Sequence, residues 1–344
     1  MSRHSTIFVT LLALLAATMA CRRGGGDVPD AAPSVYYWRT TLRLDSTERD
    51  FLLRHHVTKM YTRFFDVVLR DSTPNPNATL QFLDTVPAGV EVIPVVFILE
   101  NCLRHDLNDY ARLLVDRVVQ MCETNDLPAP RELQIDCDWT RHSQDDYFRF
   151  LGLVRSAAAD HHLRLSATIR LHQLSMPPPP VDYGVLMVYN TGDATRTNGH
   201  NPILDYRDVQ PYLRHVGSYS LPLCAAYPTY DWQLLFGHDG FKALLHHENL
   251  ADSTLYHPLP GGREWLVVAS RDLPELSDDA STATWVTVGD TVRRWHVAPA
   301  EILRVSRALQ EQRPGINAQV ITYALDTRNI NHYTITDYEA IYHP

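Results

Sequence analysis

Several kinds of chemistry are missing from this 344-residue chain. Its 17 histidines include adjacent pairs beginning at positions 55, 161 and 246, but no His-Glu-x-x-His spacing, so nothing points to a metal site of that kind. No glycine-rich phosphate loop follows an early strand-like segment, and no Gly-x-Ser-x-Gly elbow occurs, which disfavours nucleotide-dependent enzymes and serine hydrolases. No cofactor is expected. Lysine and arginine form no basic stripe with interleaved aromatics, and the net charge is -9. Nucleic acid is therefore not an expected partner, because displacing phosphate counterions requires clustered cations.

Long hydrophobic runs are also lacking. The one apolar run, Ile7 to Ala17, is too short to cross a bilayer as a stable helix. With Arg3 and His4 before it and Thr18 Met19 Ala20 Cys21 after it, residues 1–20 read as a secretory signal. The segment resembles a bacterial lipoprotein signal, with Thr18 where leucine is usual. The resemblance implies cleavage before Cys21, lipid attachment there, and a place in the cell envelope, anchored to the membrane and facing the periplasm or the cell surface. Residues 21–33, rich in glycine and proline, read as a flexible tether. Cysteine is scarce beyond Cys21. Cys102, Cys122, Cys137 and Cys224 match no metal spacing and are too few for a disulfide scaffold, so buried thiols are expected.

What remains, residues 34–344, has the 45% hydrophobic and 21% charged composition of a globular domain. Strand-like segments alternate with helix-like ones: Val35 to Thr41, Lys59 to Val68, Val90 to Leu99, Glu132 to Trp139, Arg164 to His172, Tyr183 to Asn190, Leu221 to Tyr227 and Ala318 to Leu325. Asp45 with Glu48, and Ser143 with Asp146, read as helix-capping pairs. Leu107, Tyr110, Leu114, Val118 and Met121 make a helical core stripe. Eight such units predict an α/β fold, a (β/α)8 TIM barrel. Two stretches break the rhythm. Asp71 to Ala88 reads as a long loop. Residues 230–297, with Trp232, Trp265, Trp285 and Trp295, read as a Trp-rich insertion between strands seven and eight, with a hairpin around Gly289 and Asp290.

The fourth strand is the most informative. Glu132, Gln134, Asp136, Asp138 and Thr140 share one face, and Leu133, Ile135, Cys137 and Trp139 share the other. Flanking helices would cover the apolar face, turning two carboxylates into the closed sheet at a cost of several kcal/mol unless partners satisfy them. On strand five Ser166, Thr168, Arg170 and His172 repeat the polar-inside pattern, and Arg170 is placed to compensate Asp136 or Asp138 and lower their pKa values. Arg63 and Asp66 lie near the end of strand two and Glu100 after strand three. Tyr189 and Asn190 end strand six, Tyr227 ends strand seven, and Tyr323 and Asp326 end strand eight. Mixed polar and aromatic rings of this kind suit sugars, whose hydroxyls need polar partners and whose C–H faces stack on aromatic planes. A glycan is the expected ligand. The bland alternative is that the interior charges are structural plugs.

Asp136 Cys137 Asp138 Trp139 Thr140 resembles the fourth-strand signature of family-18 glycoside hydrolases, the chitinases and their relatives, which reads Asp-Gly-x-Asp-x-Asp-Trp-Glu. Met187 Val188 Tyr189 Asn190 is similar to the Met-x-Tyr-Asp segment ending their sixth strand. The resemblance implies a TIM barrel in which Asp138 polarises an acetamido group, Asp136 supports it and Tyr189 stabilises an oxazolinium ion. Uncharacterised bacterial lipoproteins sharing this barrel are similar on the same grounds. The departures are specific. Thr140 stands at the proton-donating Glu, Leu133 and Gln134 at the leading Asp-Gly, and Asn190 at the second Asp. General acid catalysis is worth about 10² to 10⁴ in rate, so either another carboxylate donates, with Glu100, Asp66 and Asp326 as candidates, or the barrel binds glycans without cleaving them.

Overall fold

The computed structural model describes residues 33–105, 107–196, 199–245, 248–272 and 285–344. The signal segment, Cys21 and the tether up to residue 32 lie outside them. Eight parallel strands close on themselves: Ser34–Tyr37, Lys59–Arg70, Glu91–Ile98, Glu132–Asp136, Arg164–Arg170, Tyr183–Met187, Leu223–Pro228 and Val320–Tyr323. Closure is made by the first strand, which pairs with the second through Val35 and Met60 and with the eighth through Ser34 and Ile321.

Each strand alternates as a barrel strand must, one face packed under helices and one turned inward. Leu133, Ile135, Cys137 and Trp139 are fully buried on the outer face. There the Trp139 ring stacks on Tyr147 of the helix Gln144–Asp160, with centroids 5.8 Å apart. The inner face is polar. Glu132 accepts from Ser166 Oγ at 2.6 Å and Tyr183 Oη at 2.5 Å, Tyr61 and Tyr183 share a 2.8 Å bond, and Gln134 accepts from Tyr36 at 2.7 Å. This lower layer spends its polar groups on one another, as buried groups must. Cys102, Cys122, Cys137 and Cys224 are buried free thiols.

Local signals are realised unevenly. Asp45 and Glu48 form a reciprocal capping box on the helix Ser46–Arg54. Ser143 does not cap the helix it precedes, because its hydroxyl goes to Glu100 instead. The stretch after strand two is not a long loop. Asp71 and Ser72 adopt positive φ, and Thr73–Asn77 returns antiparallel along Asp66 to Arg70. Pro74 and Pro76 are tolerated there because the returning strand is an edge.

Between strands seven and eight, the segment Asp231 to His296 forms a five-stranded antiparallel sheet. Leu235, Leu245, Leu250, Tyr256, Val267, Val286 and Val292 make its own small core. The turn at Gly289 exists, with φ +95°, but its arms do not pair as a hairpin. Trp285–Val286 joins Arg271–Asp272, while Thr291–His296 joins the larger sheet. The tryptophans divide as well. Trp295 is buried, Trp232 packs against the barrel core, Trp265 packs against the insertion's core, and Trp285 is 57% exposed.

Candidate active site

The upper interior of the barrel gathers an ionic cluster. Asp136, at the end of strand four, is almost wholly buried and accepts from Thr168 Oγ at 2.6 Å on strand five. Arg170, one inward step further on, places its guanidinium 3.6 Å from Asp136 and donates through Nε to Asp138 at 2.5 Å. The Asp138 side chain is 59% exposed and stands at the mouth. Burial pushes the Asp136 carboxyl above its usual range. Arg170 pulls the other way without reversing it, and Asp138 and Asp66 push the same way as burial. Desolvation is the larger effect, so Arg170 lowers the Asp136 carboxyl as expected but leaves it above its usual range. Arg170 is itself held charged by Asp136 and Asp138 against a desolvation that opposes it.

Across the mouth, Arg63 donates through Nε to Asp66 at 2.7 Å, and a second contact makes the pair bidentate. The Arg63 guanidinium also lies over the Trp38 ring, 5.8 Å from its centroid. Tyr189 stacks on Tyr323 with centroids 4.9 Å apart, and Tyr230 meets both edge-on. Tyr189 lies near enough to Arg170 and Asp136 to feel their charges. Arg63, Asp66, Asp136, Asp138, Arg170, Tyr189 and Tyr323 are therefore linked, directly or through Trp38, at the upper end of the barrel.

Among the other proposed site residues, His172 and Asn190 sit at the edge of this cluster, while Tyr227 points away from it. Tyr227 is buried on the outer face, its hydroxyl donating to Asn317 at 2.7 Å, and this is a matter of parity. Cys224 on the same strand is close to Glu132 inside the barrel, so residues an odd number of steps away point outward. His172 is exposed, since strand five ends at Arg170 and Leu171–Ser175 turns as a 3₁₀ helix. Gln173 is the buried polar member of that turn, accepting from Arg170 N and donating to the Trp139 carbonyl, both at 2.8 Å. Asp326 caps the short helix Thr327–Ile330 and accepts from Arg39 at 2.7 Å. Asn190, exposed with φ 53°, accepts from Tyr230. Trp38 and Tyr230 are not among the site residues read from the sequence, and Trp232 is named there only as part of the insertion. Trp38 was accessible to such a reading, because it follows Ser34 and Tyr36 at two-residue intervals.

Thr140, where the family-18 signature has its Glu, has a particular arrangement. Thr140 Oγ and Ser143 Oγ each donate to Glu100 Oε1 at 2.6 Å. The Ser143 bond, then the Thr140 bond, hold the Glu100 carboxyl below its usual range. A carboxylate from the end of strand three thus reaches the residue that stands where the signature has Glu.

No protein-family model matches this chain, and no curated protein sequence does. Solved structures do share its fold. A chitinase from Chromobacterium violaceum is similar at a TM-score of 0.54 and 12% identity over 90% of this chain and 98% of that one. The C-terminal domain of a putative chitinase from Desulfitobacterium hafniense is similar at 0.54 and 11%, over 91% and 99%. The spore cortex-lytic enzyme SleL of Bacillus cereus is similar at 0.51 and 14%, over 88% and 73%. At such identities the likeness is one of fold: the chain is a (β/α)8 barrel of the architecture those enzymes share.

Proposed function

We propose that this chain is a glycan-binding barrel of chitinase-like build that holds a saccharide at its mouth without carrying out the family's hydrolysis. One observation carries the reading. The proton-donor position is Thr140, and the carboxylate beside it, Glu100, accepts two hydroxyl hydrogen bonds that favour its ionised form. A general acid works best with a pKa near the working pH, so these donors oppose that role. Asp66 is spent on Arg63, Asp326 on Arg39, and Asp138 on Arg170. The half-buried rings of Trp38, Trp232 and Tyr323 supply faces on which sugar C–H groups stack.

A second reading, a hydrolase whose acid is Glu100, is favoured by the 2.6 Å contact with Thr140. N-acetylated chitooligosaccharides separate the two. Calorimetry should detect binding that weakens about tenfold or more in Tyr189→Ala, a loss in line with removal of an aromatic anchor, while no reducing ends appear on long incubation. Reducing ends that vanish in both Asp138→Asn and Glu100→Gln would establish the hydrolase instead. Absence of binding would leave the interior charges as plugs.

The chain's address belongs to the same proposal: an envelope lipoprotein anchored through Cys21. Anchorage by acyl chains predicts that wild type fractionates with membranes and Cys21→Ser does not.

A further inference from the structure

A second hollow lies beside the barrel mouth. It occupies about 580 Å3, within the usual range for small-ligand sites, and Arg263, Arg294, Trp295, His200 and Asp205 are among the residues lining it. One wall is the segment after strand six and the other is the insertion strand Thr291–His296. Asn201 pins the walls together, donating through Nδ2 to the His296 carbonyl at 2.8 Å while its Oδ1 accepts from Ile203 N at 3.1 Å.

The arginines and carboxylates of this lining are paired, with Arg263 the exception. Arg207 gives both faces of its fork to Asp205, at 2.9 and 2.7 Å. Arg294 binds Asp231 at 2.5 Å, His200 binds Asp208 at 2.7 Å, and Glu301 accepts from Tyr206 N at 2.7 Å. Arg263 is exposed and lies over the Trp295 ring at 4.8 Å, and among the described residues it has no carboxylate partner. Cation–π contact uses the face of a guanidinium and leaves its in-plane N–H fork free, the geometry that grips a carboxylate bidentately. An arginine over an aromatic ring at a cleft, with no carboxylate partner among the described residues, has N–H groups to offer an anion.

Aromatic residues connect this cleft to the mouth. Trp295 sits directly opposite Trp232 in register, the Trp232 ring lies 5.9 Å from Tyr230, and Tyr230 lies 5.7 Å from Tyr323. We infer that the cleft is a second saccharide site, selective for a sugar unit bearing a carboxylate, with Arg263 as the anion's partner. That the ligand is a sugar rests on the glycan reading above; that it is anionic rests on Arg263.

The test titrates the full chain with glucuronate, glucose and inorganic phosphate, followed by calorimetry and saturation-transfer NMR. Glucuronate should bind about tenfold or more tighter than either of the others, the increment expected of a bidentate charged pair added to the cleft's sugar contacts. Arg263→Gln, a surface change, should bring glucuronate down to the level of glucose, and Arg263→Lys, with charge but no planar fork, should fall between. Equal binding of glucose and glucuronate, phosphate as tight as glucuronate, or indifference to Arg263→Gln would each overturn the inference. Glucuronate is too small to span both hollows, so failure of chitooligosaccharide binding at the mouth would leave this result standing.

Discussion

At the scale of single residues, the interior acids differ in what they cost. Glu132 sits at the bottom of the barrel, wholly buried, and burial pushes its carboxyl above the usual range while Ser166, Tyr183, Lys59 and Arg164 only partly offset this. A folded-state pKa raised above the unfolded value of 4.5 means that the folded chain binds the proton more tightly. Relative to a neutral side chain, this group therefore contributes its stability at low pH, and the contribution is lost as pH rises through the folded value. Glu132→Gln keeps an oxygen to accept from Ser166 and Tyr183 and removes the ionisation. Urea midpoints of the two proteins should differ little near pH 4, and at pH 7 the variant should be more stable by on the order of 1 kcal/mol. A variant that is weaker at pH 7 than at pH 4, relative to wild type, would show that the carboxylate is well solvated by its neighbours.

Secondary-structure elements show where the sequence was legible and where it was not. Period-two alternation located all eight barrel strands, and on the fourth it assigned both faces correctly, since Leu133 to Trp139 and Glu132 to Asp136 obey it without interruption. The errors fall where a local pattern met a non-local competitor. Ser143 looks like a cap, but Glu100, 43 residues away, takes its hydroxyl. His172 continues a polar face on paper, and although the strand ends two residues earlier, its ring still lies within reach of the charges of Asp138 and Arg170. Tyr227 was placed by its position at a strand end, where parity with Cys224 would have turned it outward. The pairing of Thr73–Asn77 back onto strand two depends on two positive-φ residues, Asp71 and Ser72, that carry no glycine signal.

Beside the packing of Leu234 and Trp295 on the barrel core, the insertion meets the barrel through a contact that includes a histidine. Asp231 and Arg294, on paired strands of the insertion, are bonded to each other, and Arg294 Nη2 lies 3.0 Å from His332 Nε2 on the segment after strand eight. Arginine can only donate, so His332 accepts there and carries its proton on Nδ1, a buried atom with no partner among the described residues. Burial lowers the His332 pKa below 6.5; Asp231 and Asp326 oppose the shift, and Arg294 and His296 reinforce it. A depressed histidine contributes stability that is present above its unfolded value and lost as pH falls through the folded one. Amide exchange in Asp231–Gly237 and Thr291–His296, corrected for intrinsic rates, should therefore quicken between pH 7 and pH 5. His332→Gln retains an acceptor that does not titrate and should abolish the change. Equal quickening in both proteins would place the loosening elsewhere.

Across the whole molecule, closure of the barrel does not run through the insertion. The first strand pairs directly with the second and the eighth, so the ring is complete without residues 231–296. The insertion leaves and returns at one place, because Asp231 pairs opposite His296, and residues opposite each other on antiparallel strands lie about 5 Å apart. Replacing residues 232–295 by a two-residue turn should thus leave the barrel able to close. Stability should fall, since Trp295 and Leu234 pack on the barrel's core and Tyr230 would lose Trp232. Uncovering such side chains is worth about 1.5 to 3 kcal/mol each at most. The shortened chain should show barrel-like circular dichroism and one cooperative urea transition at a lower midpoint, with glucuronate binding lost along with Arg263. An unfolded or aggregated product would mean that the insertion's contacts, rather than the eight-strand ring, decide whether this chain folds.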